Sequence, residues 1–145
     1  MLEAAAKARD VMGLILLSVE DNDAFAEAIQ IALGEAMLEV SLNRVSDGEE
    51  ALRYLQQQPP FESASRPDLV LLDLNLPRKS GFDVLSEMAA DSSLRNIPVV
   101  VLSSSNHARD RSRSLALGAK EYILKPTDFE QLINELAGAC HRFMQ

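Results

Sequence analysis

One stretch constrains this chain more than any other: Leu69-Val70-Leu71-Leu72-Asp73-Leu74-Asn75-Leu76-Pro77. Leu69–Leu72 is a continuous apolar run with the length and bulk of a strand buried on both faces, the kind found inside a parallel sheet. The run stops at Asp73, and Pro77 and Gly81 then mark a loop and the start of a helix. A carboxylate at the carboxyl end of a central parallel strand lies at the edge where open α/β sheets place ligands and chemistry. Alone, Asp73 would read as a cap for the next helix. The residues that end the other strands decide between the two readings.

Five strand–helix units follow one another without an internal repeat or a low-complexity tract. Leu14–Ser18 is a short apolar strand closed by the acidic turn Glu20-Asp21-Asn22-Asp23, and Phe25, Ala28, Ile29, Ala32 and Leu33 then fall on one helical stripe that Gly34 can stop. Leu38–Val45 alternates around a polar middle, as a strand nearer a sheet edge does. Ser46-Asp47-Gly48 opens a second helix carrying Ala51, Leu52 and Leu55. The proline- and serine-rich segment Gln57–Pro67 is the longest connection and the expected place for disorder. The strand Asp68–Leu72 leads to a helix from about Gly81, with Phe82, Leu85, Met88 and Ala89 on one side. Pro98 introduces the strand Val99–Leu102, a polar helix covers His107–Leu117, and Tyr122–Leu124 is the last strand. Thr127 and Glu130 have capping-box spacing for a final helix towards Met144. Strands alternating with helices, with the apolar runs in the middle strands, predict a doubly wound parallel sheet in the α/β class. Right-handed crossovers put helices on both faces and every strand's carboxyl end at one edge.

A chain of 145 residues with 47% apolar residues can bury one full core and forms one domain. Its formal charge of −8 argues against direct binding to nucleic acid or an anionic membrane, which needs clustered Lys and Arg. The same charge suits a divalent cation or a basic partner. The single cysteine, Cys140, leaves no internal disulfide. Its spacing from Phe129, Leu132, Ile133, Leu136 and Phe143 puts it on the apolar face of the last helix, as a small core residue. No apolar run approaches the length of a transmembrane helix, and the opening Met1–Arg9 reads as a short charged helix without a signal-peptide core, so a cytoplasmic location is expected. Leu2-Glu3-Ala4-Ala5-Ala6-Lys7-Ala8 has the look of a designed helical linker. Residues 1–11 are therefore set apart as an extension and 12–145 as the domain.

Four sites fall just after separate strands: Glu20 with Asp21, Asp73, Ser103 and Lys125. Each is ordinary alone, as an acidic turn, a cap or a solvated Lys-Pro loop. At one edge of one sheet they form a charge-balanced cluster. Converging carboxylates repel and raise one another's pKa unless a cation sits between them. Oxygen ligands with room for water suit a hard ion such as Mg²⁺. With a lysine and a hydroxyl beside a nucleophilic carboxylate, such a site is suited to accepting and holding a phosphoryl group.

These residues resemble the receiver domains of two-component response regulators, over about Leu14 to Met144. The motifs that carry the resemblance are Val-Glu20-Asp21-Asn, Leu-Leu-Asp73-Leu-Asn-Leu-Pro77-Arg-Lys-Ser-Gly81, Pro-Val-Val-Val-Leu-Ser103 and Tyr122-Ile-Leu-Lys125-Pro126. The separations among Asp73, Ser103 and Lys125 are those of the chemotaxis-type receiver. The resemblance implies a flavodoxin-like, five-stranded parallel sheet of order 2-1-3-4-5 with five helices, and a cis Lys125–Pro126 bond. It implies that Asp73 accepts a phosphoryl group from a sensor histidine kinase. Asp21, Asp73 and the backbone carbonyl of Asn75 would ligate Mg²⁺, with Glu20 acting through water. Lys125 would pair with the carboxylate before reaction and the phosphoryl oxygens after it, while Ser103 and Tyr122 would move as the switch. The chain would catalyse only its own phosphorylation and dephosphorylation.

Ser-Arg-Pro-Asp-Leu before the third strand and Asn-Leu-Pro-Arg-Lys-Ser-Gly after it look most like the stand-alone regulators paired with bacterial phytochromes. That likeness implies a phytochrome kinase as partner, no output domain, and a homodimer through the fourth helix, fifth strand and fifth helix. The acidic pair opens with Glu instead of the commoner Asp, and the Gln57–Pro67 loop is longer than in the chemotaxis-type protein. The fourth helix is poor in apolar anchors, with Arg109, Asp110, Arg111, Ser112, Arg113 and Ser114 before Leu115, which suits a solvated or partner-docking face. His107 and His141 fall in exposed helical settings. Two other readings are weighed: a pseudo-receiver kept for protein contact without phosphorylation, which loss of Asp73, Lys125 or the acidic pair would favour, and a phosphatase of the haloacid dehalogenase type. The latter usually carries a second Asp where this chain has Asn75.

Overall fold

The computed structural model describes residues 13–143; the expected N-terminal extension and the first residue of the proposed domain lie outside the described residues. Five strands, β1 (Leu14–Val19), β2 (Val40–Val45), β3 (Leu69–Leu72), β4 (Val99–Ser103) and β5 (Glu121–Leu124), alternate with five helices. These are α1 (Asp23–Glu35), α2 (Gly48–Leu55), α3 (Gly81–Ala90), α4 (Ala108–Ala116) and α5 (Phe129–Phe143). The strands pair in parallel in the order β2-β1-β3-β4-β5. The doubly wound α/β sheet of order 2-1-3-4-5 is therefore the observed fold.

Period-two alternation along the central strands divides the core into two layers. Leu17, Val19, Val70, Leu72, Val99 and Val101 face α2 and α3, where Leu52, Val84, Leu85 and Met88 cover them. Leu14, Leu16, Leu69, Leu71, Val100 and Leu102 face α1 and α5, against Ile29, Leu33, Leu132, Leu136 and Cys140. All four residues of β3 are buried. That is what an apolar run without alternation requires, since both of its faces need cover. The edge strand β2 is buried fully only at Val45.

Local signals set most helix starts. Asn22, Asp47 and Ser80 each accept a backbone N–H of the first turn of α1, α2 and α3, and Ser80 with Asp83 completes a capping box. The expected Thr127–Glu130 box is not the cap of α5: the Asp128 carboxylate accepts the Glu130 N–H at 3.0 Å, and α5 starts one residue later. Phe129, expected on the apolar face, is the first residue of α5 and is 42% exposed.

Residues 57–67, expected to be disordered, are tied down. The Phe61 ring packs on Tyr54 at 5.4 Å between centroids, Phe61 and Ala64 lie against the core, and Gln57 Nε2 donates to the Ala64 carbonyl at 2.8 Å. The composition suggested a free loop, but one aromatic residue supplies an anchor. The Lys125–Pro126 bond is trans, against the family expectation; the cis bond among the described residues is Pro59–Pro60.

Candidate functional site

The parallel pairing brings the ends of β1 and β3 side by side, with the Asp73 N–H donating to the Val19 carbonyl at 3.1 Å. Glu20 and Asp73 thus emerge next to each other from the centre of the sheet, both almost wholly buried, while Asp21 is exposed. One carboxylate oxygen from each of Glu20, Asp21 and Asp73 lies within 4.8 Å of the others. Just past the end of the edge strand β5, the Lys125 N–H donates to the carbonyl of Ser103 on β4 at 2.7 Å. Its ammonium then reaches 2.9 Å from Glu20 Oε1 and 3.4 Å from Asp73 Oδ2.

The sequence-predicted residues Glu20, Asp21, Asp73 and Lys125 are therefore brought together. Asn75 is adjacent, its N–H 3.4 Å from Asp73 Oδ1. The pairing of Lys125 differs in detail from expectation: its shorter contact is with Glu20, not Asp73. Burial holds the Glu20 carboxyl above the usual carboxylate range, and the Asp73 charge adds to this, while the Lys125 hydrogen bond pulls the other way. Three carboxylates against one ammonium leave the cluster short of positive charge. An all-oxygen donor set with one solvent-facing member fits a hard divalent ion that keeps part of its water.

The backbone around Asp73 leaves no slack. A Cβ on Gly81 would sit 2.5 Å from the Asp73 carbonyl oxygen and 2.8 Å from Leu74 Cα, so glycine is what lets the start of α3 pass under the acidic strand end. Gly48 does the same for the loop after Asp73, since its Cβ would meet the Lys79 carbonyl.

Ser103 and Tyr122 lie in a second, connected network. The fully buried Ser103 accepts the Ser105 N–H at 3.1 Å, and no hydrogen bond joins its hydroxyl to the acidic residues among the described residues. The Tyr122 hydroxyl donates to the Ser105 carbonyl at 2.6 Å, and the Ser105 hydroxyl donates to Asp110 in the first turn of α4. A polar path thus runs from the end of β4 into α4 through Ser105, which sequence reasoning passed over.

It also passed over Arg44. The guanidinium donates twice to the Glu20 carbonyl, at 3.0 and 2.7 Å, and pairs with Asp23 at 2.9 Å, clamping the acidic turn from the edge strand. No sequence signal distinguishes Arg44 from a solvated edge residue; only the register of β1 on β2, which sets Ser18 beside Arg44, brings it there. Phe25, expected on the apolar stripe of α1, packs against the core, and the centre of its ring also lies 4.5 Å from the Lys125 ammonium.

The profile of the response regulator receiver domain family matches residues 16–137. Response regulator Rcp1 of Synechocystis sp. is 37% identical over 124 residues, covering 86% of this chain and 84% of that protein. The crystal structure of the phosphorylated cyanobacterial phytochrome response regulator RcpA superposes with a TM-score of 0.85 at 41% identity, over 91% of this chain and 94% of that one. The Mn²⁺-bound form of response regulator Rcp1 superposes with a TM-score of 0.82 at 35% identity, over 91% and 95%. With the acidic trio, the lysine and the 2-1-3-4-5 sheet in one arrangement, these likenesses lead to one assignment: the chain belongs to the response regulator receiver domain family.

Proposed function

We propose that this chain is a phosphorylation switch of two-component signalling, with Asp73 as the phosphoacceptor and Mg²⁺ as the cofactor. The observation that carries the reading is the convergence of buried Asp73 and Glu20, exposed Asp21 and the Lys125 ammonium at one sheet edge. A carboxylate oxygen of Asp73 attacks the phosphorus of a kinase phosphohistidine. The P–N bond breaks, the imidazole nitrogen leaves with the electron pair, and an acyl phosphate remains on Asp73. Water attack on that phosphorus returns the carboxylate and releases inorganic phosphate. Asp21, Asp73 and the Asn75 carbonyl would hold the ion, with Glu20 acting through water. When bound, the ion offsets the charge of the carboxylates and of the incoming phosphoryl oxygens. Lys125 exchanges part of its pairing with carboxylate for pairing with a phosphoryl oxygen.

Residues 12–145 would form the single receiver unit, acting only on its own phosphorylation state in the cytoplasm and without nucleic-acid contact. The likeness to RcpA, named as a phytochrome response regulator, supports a phytochrome-type sensor histidine kinase as donor. Leu115 on α4, Leu124 on β5 and Phe129 on α5 are exposed apolar side chains, which supports a homodimer through that face. The test is incubation with acetyl phosphate and Mg²⁺ followed by intact-mass measurement. One added phosphoryl group, absent without the metal, is expected; an unmodified protein would overturn the reading.

A further inference from the structure

We propose that Phe25 is a positioning residue for Lys125, holding its ammonium against the acidic pocket while the carboxylates are engaged elsewhere. The inference rests on the phosphorylation reading above.

A lysine ammonium is a compact charge on a flexible four-carbon stem and has no directional geometry of its own. Here three groups frame it: Glu20 at 2.9 Å, Asp73 at 3.4 Å and the Phe25 ring at 4.5 Å from its centroid. The two anionic partners both belong to the acidic trio, so a bound divalent ion competes for their oxygens. Phosphorylation of Asp73 would then alter the more distant one covalently. The ring face is the one partner that neither event can take. It attracts the cation without adding charge or a ligand atom to the ion's site.

The placement of the ring is built into the same turn that presents the acids. The Asn22 N–H donates to Glu20 Oε2 at 3.1 Å, and the Asn22 side chain in turn accepts the Phe25 N–H at 2.8 Å. One cap residue therefore fixes Glu20 and Phe25 relative to each other, and Lys125 lies against both. The Lys125 side chain is only 15% exposed, so the attraction is not diluted as it would be in open water. Phe25 also packs against the layer of α1 and α5, so an apolar replacement is needed to separate packing from the cation contact.

The test compares wild type, Phe25→Leu and Phe25→Trp for beryllofluoride binding at saturating Mg²⁺, with Mg²⁺ affinity and thermal unfolding measured alongside. Phe25→Leu keeps the apolar packing and should bind beryllofluoride about three- to tenfold more weakly, while Mg²⁺ affinity stays within about twofold. Phe25→Trp should retain wild-type binding or exceed it. In a Lys125→Gln background, Phe25→Leu should produce no further loss, which a purely packing role would not predict. Equal beryllofluoride binding by wild type and Phe25→Leu, or an additive loss in the double variant, overturns the positioning role and leaves the phosphorylation reading intact. Failure of the wild type itself to bind beryllofluoride overturns both.

Discussion

The ends of β1 and β3 and the helix α4 are held by opposite means. Every residue of β3 is buried, and Glu20 and Asp73 leave the sheet with their backbones hydrogen-bonded to neighbouring strands. In α4 only Ser114 is buried, the His107 cap makes no side-chain hydrogen bond, and the Arg113 guanidinium rests on the Phe82 ring at 4.0 Å. The Ser114 hydroxyl turns back to the Asp110 carbonyl, a bond that weakens a helix more than it anchors one. Few buried apolar contacts mean a low free energy for local displacement. A fixed acidic frame and a loosely held helix in one domain would suit the proposed switch, with chemistry at one and readout at the other.

The comparison breaks first at the frame's chemistry. Asp73→Asn should abolish acyl-phosphate formation with acetyl phosphate while leaving the fold intact, because the amide is nearly isosteric but a poor nucleophile. Label at wild-type level on the variant would move the phosphoacceptor elsewhere. Stability should show the same contrast. Leu69→Ala, at a site wholly inside the sheet, should cost about 2–5 kcal/mol, whereas Leu115→Ala on α4 should cost about 0.5 kcal/mol. Equal shifts in urea unfolding midpoint would mean that α4 is as firmly packed as β3. The layer behind Leu69 also has a pH signature. Burial pushes the Cys140 thiol up to about 11, from an ordinary value of 9.0, so the fold favours the neutral form. That contribution is complete below the unfolded value and is lost as pH rises through the folded one, on the order of 2 kcal/mol in all. Cys140→Ala should remove this alkaline slope, and a slope unchanged in the variant would assign it to another group. At the pocket's rim, Asp21→Asn should weaken Mg²⁺ binding on the order of tenfold, since a site with few protein ligands loses one anionic oxygen. Unchanged affinity by calorimetry would take Asp21 out of direct contact with the ion.

The frame was more legible in the sequence than the helix beside it. A buried strand ending in Asp73 leaves a run of four apolar residues, and the parallel sheet then dictates that Glu20, Asp73 and Lys125 share an edge. Cys140 was readable as core because helical spacing alone places it among Leu132, Leu136 and Phe143. What could not be read depends on register or on a single anchor. Arg44 reaches the Glu20 carbonyl only because of how β2 is aligned with β1, Ser105 matters through its backbone N–H and carbonyl together with its hydroxyl, and the loop after α2 is held by Phe61. The shorter approach of Lys125 to Glu20 than to Asp73 depends on side-chain geometry that no motif encodes.

The smallest expected effect tests the link between the two regions. Ser103 stands at the end of β4, its hydroxyl bound to the Ser105 N–H; Ser105 in turn holds Tyr122 and Asp110. If a phosphoryl group on Asp73 draws the Ser103 hydroxyl towards it, the Ser105 N–H loses its acceptor and the network into α4 must rearrange. Such a shift requires a difference in contacts between two states, and this hydroxyl is a contact that can differ. Ser103→Ala should leave Asp73 able to accept phosphate, because the serine is not the nucleophile. It should reduce the coupling to α4 by about 1 kcal/mol, within the range of typical allosteric coupling. Hydrogen exchange across residues 107–117, with and without beryllofluoride, reads this directly, and sedimentation reports any change in dimerisation. In the wild type the exchange pattern should change on beryllofluoride binding; in Ser103→Ala the change should be smaller at equal occupancy. A variant that responds as fully as the wild type in both measurements would show that α4 takes its signal by another route, and Lys125, whose backbone N–H is bonded to the Ser103 carbonyl, would be the next group to vary.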